Sequence, residues 1–262
     1  MMKQISLSGK GSAGKSTIVP FVLQYILQHQ PDAKCLVVDA DPHMTMTKLM
    51  GVPVTSTLGQ LRSAYERQIK SGQGLESESR GEFAERVMGE QCLVEMPGYD
   101  FLAMGHWELQ GCQCGPNRVL GASLGDLAGK RGYDILIVDN EAGIEHIGRF
   151  ASKIDLLLLV ATPDPLFLDV AEQILGHCRE VQRPVGDIHL LINRAQPGDM
   201  DDEFVKAAIQ KTGISVLGVL PESSALRRQA WAGKPILSLD PTDPWLVALH
   251  GALAKVPFLN GV

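Results

Sequence analysis

The residues Gly9-Lys10-Gly11-Ser12-Ala13-Gly14-Lys15-Ser16 fit the pattern G-x-x-x-x-G-K-[ST]. In such a loop glycines let backbone N–H groups turn inward around phosphate oxygens, and the following helix adds partial positive charge. Lys15 is placed to reach the β- and γ-phosphates of a nucleoside triphosphate, and the Ser16 hydroxyl to ligate Mg²⁺. Gly9, Gly11, Ser12, Ala13, Gly14, Lys15, Ser16 and Thr17 are therefore the candidate phosphate contacts. All four fixed positions are present. The loop follows a strand-like run and opens a helix-like one, the context that separates a phosphate loop from a chance glycine turn. Two acidic segments complement it. Ile135-Leu-Ile-Val-Asp139 is an apolar run ending in a carboxylate suited to the Mg²⁺ shell. Asp39-Ala40-Asp41-Pro42 ends another apolar run. Carboxylates there can accept hydrogen bonds from water without donating, although Asp41 before a proline also suits a helix N-cap.

A second chemistry sits in Gly111-Cys112-Gln113-Cys114-Gly115. Two thiolates one residue apart cannot close a comfortable disulfide with each other, but both can face a soft metal. One chain offers two sulfurs, and a closed tetrahedral or square-planar site needs four. A two-fold dimer would supply the other two. Cys112 and Cys114 are thus candidate ligands for a soft metal shared across a dimer, with two incidental loop thiols as the alternative. His106 and His146 are possible further contributors, each also readable as a surface histidine. Cys35 reads as a small core residue, and Cys92 and Cys178 as structural.

These groups need elements to position them. Continuous apolar runs at 5–8, 35–39, 100–104, 135–139, 156–160, 188–192 and 216–220 read as strands covered on both faces, hence parallel. Helical patterns at 17–28, 167–181, 201–211, 223–231 and 243–254 separate them. Pro20 is expected in the first turn of the first helix, where its missing N–H costs little. Repeated βα units predict an α/β fold, a doubly wound and mostly parallel sheet flanked by helices. The segment 71–81 is polar and rich in glycine and serine, and reads as a surface loop. With 262 residues and no visible linker, a single domain over 1–262 is expected. The net charge of −6 argues against a broad grip on nucleic acid or an anionic membrane. No window approaches the roughly 18 apolar residues of a membrane span. A cytoplasmic location follows as an expectation, and there the five cysteines stay reduced.

Lys10 gives the loop a second lysine, and in this it resembles the deviant Walker A loop of the MinD/ParA, arsenite-pump and nitrogenase iron-protein ATPases. Ser12 stands where that family usually has glycine, at a cost if the position needs positive φ. The resemblance implies a P-loop ATPase that uses ATP and Mg²⁺. Lys10 would cross a dimer interface to the partner's nucleotide and, with Lys15 and Asp41, form the catalytic set. Asp39 would bind a Mg²⁺-ligated water, and Asp41 would orient or deprotonate the attacking water. Asn140-Glu-Ala-Gly143 resembles the second switch. Asn193 would hydrogen-bond adenine and Pro221-Glu222 would flank it, although plain turn chemistry also accounts for both. The segments from Met104 to Cys114 and from Asp139 to Arg149 resemble the CooC-type ATPases over nearly the whole chain. That likeness implies a metallochaperone homodimer, bridged by Ni²⁺ (or Zn²⁺) at Cys112 and Cys114, with carbon monoxide dehydrogenase as client. His106-Trp107-Glu108 replaces the usual Arg-Pro-Glu, and Gly115-Pro116 follows the cysteines in place of an aromatic residue. These departures bear on client and metal rather than on the ATPase. A MinD/ParA-type positioning ATPase and a synthetase-like enzyme are the other readings. The stretch 245–258 is amphipathic, but it has one lysine and no arginine. A membrane-binding helix should show a basic rim, so packing on the sheet is expected.

Overall fold

The computed structural model describes residues 2–61, 63, 84–106, 124–141, 153–180, 182 and 184–261. The strands are β1 (Lys3–Ser8), β2 (Cys35–Asp39), β3 (Val94–Met96), β4 (Tyr99–Ala103), β5 (Ile135–Asp139), β6 (Ile154–Ala161), β7 (Val185–Ala195) and β8 (Val216–Pro221). They form one sheet in the order β3-β4-β2-β5-β1-β6-β7-β8. All pairings are parallel except that of β3 with β4. The expected mostly parallel sheet flanked by helices is therefore what forms. In β2 and β5 every residue is buried, as their unbroken apolar sequences require of strands covered on both faces.

Alternation along each strand divides the core. Ile5, Leu7, Val37, Ile137 and Leu158 face one helical layer with Ile18, Phe21 and Trp245. Leu36, Val38, Leu136 and Val138 face the other side with Leu124 and Leu127. Farther along that second face, Leu157, Leu159 and Leu190 meet Leu168 and Ile174. The helices include α1 (Lys15–His29), α2 (Thr45–Met50), α3 (Pro165–Glu180), α4 (Glu203–Thr212), α5 (Ser224–Trp231) and α6 (Pro244–Leu253). Helix α6 packs on β8 and α1, with Trp245 edge-on to Phe21 at 5.1 Å between ring centroids. The C-terminal amphipathic stretch is thus internal packing. No helix among the described residues is long and apolar enough to cross a membrane.

Two details depart from expectation. Helix α1 starts at Lys15 rather than at residue 17, so Pro20 sits inside it, beyond the first turn. The proline leaves the Ser16 carbonyl without the N–H that an unbroken helix would supply. Strand β3 was not expected from the sequence. It has three residues and joins β4 through a Pro97-Gly98 turn, with Gly98 at φ +87°, too short for a periodic pattern. The 71–81 segment lies outside the described residues.

Candidate functional site

Strand β1 lies centrally, with β5 on one side and β6 on the other. The chain builds outward in both directions from it, which makes its carboxyl end the crevice where open α/β sheets take ligands. The loop from Gly9 to Ser16 leaves the sheet at that point. Gly9 adopts φ +150°, and a Cβ there would lie 2.2 Å from the Val160 carbonyl oxygen on β6. No side chain fits such a gap. Gly14 adopts φ +104° ahead of α1, and its missing Cβ makes room for the Asn193 amide. Ser12 takes φ +67°. It therefore bears the left-handed conformation that glycine adopts more easily, at a cost of about 1–2 kcal/mol.

The Lys15 ammonium is folded into this loop, 3.1 Å from the Gly9 carbonyl oxygen and 3.3 Å from that of Lys10. Burial holds it below the usual lysine range, opposed by the negative charges of Asp139 and Asp41. Lys10 points elsewhere. Its ammonium lies 4.4 Å from the ring centroid of Phe167, at the start of α3. Cation–π contacts at partly exposed sites such as this are worth about 0.5–1 kcal/mol.

Parallel pairing puts Asp39 of β2 level with Asp139 of β5. Both are fully buried. One Asp39 oxygen accepts from the Thr47 N–H at 2.8 Å and the Thr47 hydroxyl at 2.6 Å, and the other from the Asp41 N–H at 3.2 Å. Burial nevertheless pushes its pKa up to about 6. Asp139 is raised to about 7, by burial first and by the Asp39 charge second, while Ser16 and Lys15 pull it down. Neither Asp139 oxygen completes a hydrogen bond. A buried carboxylate with free lone pairs beside the Ser16 hydroxyl fits a hard, oxygen-seeking cation. Asp41 is half-buried and turned on its own segment. Its carboxylate accepts from the His43 N–H at 3.0 Å and the Thr45 hydroxyl at 3.2 Å. Its present contacts are therefore turn contacts at the entry to α2.

Away from the phosphates, the crevice opens into a cleft of about 750 Å³. Thr17, Asn193, Glu222, Trp231 and Trp245 line it, so the two expected base-contacting side chains border the same cleft. Asn193 also has structural partners. Its amide N–H₂ donates to the Ala13 carbonyl at 2.8 Å, and its oxygen accepts the Trp245 indole N–H at 2.8 Å. Since an indole can only donate, this pairing fixes the orientation of the amide. One amide hydrogen and one oxygen lone pair remain for a ligand. Pro221 ends β8 beside Glu222, which pairs with Arg227 at 3.3 Å. Helices α5 and α6 are tied at their starts: the Ser223 hydroxyl accepts the Leu226 N–H at 3.1 Å and donates to Asp243 at 2.8 Å.

Thr47, Phe167, Trp231 and Trp245 are the residues that motif reasoning did not place at the site. No motif marks them: Thr47, Phe167 and Trp245 meet Asp39, Lys10 and Asn193 only through the fold, and Trp231 reaches the cleft as the last residue of α5. Cys112, Cys114, Gly143 and His146 lie outside the described residues. His106 is exposed at the end of the segment after β4. Cys35, Cys92 and Cys178 are buried, and burial raises the Cys35 and Cys92 thiols to about 11 and about 12. These are inert core thiols, as expected. Among the described residues no group of three or more histidine, cysteine or acidic side chains is arranged to hold a metal ion.

Fold and loop together define a P-loop nucleotide-binding protein. Residues 5–236 match the CobQ/CobB/MinD/ParA nucleotide-binding domain model, and the chain belongs to that family. It is 28% identical over 246 residues to the carbon monoxide dehydrogenase accessory protein CooC of Rhodospirillum rubrum, covering 91% of this chain and 90% of that one. It is 26% identical over 236 residues to an uncharacterised ATP-binding protein of Methanocaldococcus jannaschii, covering 90% of each. Among solved structures, a ParA family ATPase of Chlorobium tepidum superposes with a TM-score of 0.71 at 20% identity, covering 97% of this chain and 99% of that one. The septum site-determining protein MinD of Pyrococcus horikoshii, complexed with Mg-ADP, gives 0.69 at 21%, covering 100% and 98%. At those identities the two structures speak to the fold alone.

Proposed function

We propose that this protein is an ATP-hydrolysing metallochaperone. It would act as a homodimer that binds nickel at Cys112 and Cys114 and assists its insertion into a carbon monoxide dehydrogenase. One observation carries the reading: a two-lysine phosphate loop and a Cys-x-Cys segment occur in one chain that is similar to a carbon monoxide dehydrogenase accessory protein along nine-tenths of its length.

The nucleotide half rests on the geometry at β1. Lys15 would leave the Gly9 and Lys10 carbonyls for the β- and γ-phosphates, and the loop N–H groups would hold the α- and β-phosphates. Ser16 and Asp139 would hold Mg²⁺, which supplies positive charge against the phosphate oxygens, and Asp39 would fix a water of its shell. Asp41 would orient the attacking water once it leaves its turn. Lys10 of one protomer would add charge at the partner's nucleotide as the transferring phosphoryl becomes more negative. The metal half rests on thiolate chemistry: two soft sulfurs per chain make a four-sulfur site only when shared. Nickel is here the cargo.

Calorimetric nickel titration tests the reading. The wild type should saturate at one ion per two chains, and the Cys112→Ser, Cys114→Ser double variant should bind none there. Lys15→Ala should abolish ATP hydrolysis while leaving nickel binding measurable. Identical isotherms for wild type and the double variant would remove the metal role and leave a nucleotide-dependent ATPase of the positioning type.

A further inference from the structure

The cleft beyond Thr17 is larger than phosphates need, and part of its wall is aromatic. Its volume of about 750 Å³ falls within the range of small-molecule sites. Trp231 ends α5, lines this cleft and is 77% exposed. An indole left in water forgoes the stabilisation its burial would give. Yet this one is held in place. Arg227 lies four residues earlier, on the same face of α5, and sets its guanidinium 5.3 Å from the ring centroid. The same guanidinium pairs with Glu222 at the end of β8. The chain from Glu222 through Arg227 fixes the ring at the rim of the cleft.

We propose that Trp231 is the stacking platform for the base of the bound nucleotide, held there by Arg227. The inference rests on the nucleotide-site reading. Phosphates seated in the loop from Gly9 to Ser16 leave the nucleoside to extend along the same crevice, and Thr17, the next residue in the chain, lines the cleft. A π face accepts any base. Trp231 therefore supplies affinity without choosing between adenine and guanine, and that choice falls to polar edges such as those of Asn193 and Glu222.

Equilibrium binding of Mg-ATP, Mg-GTP and tripolyphosphate to the full chain tests this in wild type, Trp231→Ala and Trp231→Phe. The alanine variant should lose about tenfold or more in affinity for ATP, and the same factor for GTP. Its tripolyphosphate affinity should stay at the wild-type value, because that ligand has no base. Trp231→Phe should recover most of the loss. Unchanged ATP affinity in Trp231→Ala would overturn the proposal. So would an equal loss for tripolyphosphate, which would place the damage in the phosphate loop. A wild type that binds none of the three would overturn the nucleotide site and this inference with it.

Discussion

Asp39 and Asp139 ionise in the unfolded chain near the ordinary value of 3.8, but in the fold only at about 6 and about 7. Between those limits the fold binds more protons than the unfolded chain. Their contribution to stability is therefore full below about pH 4 and is lost as pH rises through about 6 to 7. At neutral pH the nucleotide-free protein keeps buried negative charge that its surroundings oppose. Asp139→Asn has nearly the same shape and no charge. In calorimetry the nucleotide-free variant should melt a few degrees above wild type at pH 8, since about 1 kcal/mol moves a chain of this size by roughly 2–4 °C. At pH 4 the two should nearly coincide, because wild-type Asp139 is then neutral as well. The variant should also lose Mg²⁺-dependent nucleotide binding. An equal gain at both pH values would clear the carboxylate charge of any role in the difference.

Helix α6 reaches the phosphate loop through two hydrogen bonds in series, Trp245 to Asn193 and Asn193 to Ala13. Trp245→Phe keeps a ring against Phe21 but removes the donor, leaving a buried amide oxygen unsatisfied at a cost of about 1–3 kcal/mol. We expect a drop of several degrees in melting temperature and a several-fold weaker ATP affinity. A variant with wild-type ATP affinity would show that the loop does not depend on α6. This chain of contacts also marks how far the sequence can be read. The loop, the Asp39 and Asp139 strands and the helices after them are contiguous patterns, and buried parallel strands announce themselves as unbroken apolar runs. Strand β3 and helix α2 are too short to show a period. The contacts that finish the site join residues far apart: Asn193 to Ala13 spans 180 positions and Trp245 to Asn193 spans 52. Thr47 beneath Asp39 and Phe167 beneath Lys10 are ordinary residues until the sheet brings them there. For the base contacts, the sequence offered an asparagine and a Pro-Glu pair. It had no signal for the aromatic part of the cleft lining, since an exposed tryptophan at a helix end resembles any surface residue.

At the scale of the molecule, assembly is the proposed act that completes the site. Light scattering on Asp41→Asn, expected to bind ATP without turning it over, should show dimer with Mg-ATP and less without it; a mass that stays monomeric at every nucleotide and metal concentration would sink the cross-subunit role of Lys10. That role also gives meaning to where Lys10 rests. Its ammonium sits on Phe167 of its own chain, so in a lone subunit it is engaged in cis. The consequence is a rate law. Turnover per chain should not be constant but should climb with protein concentration to a plateau, the total rate being second order in protein when dilute and first order once pairing saturates. Leaving the ring costs about 0.5–1 kcal/mol per lysine, and a dimer moves two, so Phe167→Leu should shift the half-rise to roughly five- to thirtyfold lower concentration without changing the plateau. A specific activity that is flat with dilution would mean that each subunit hydrolyses ATP alone.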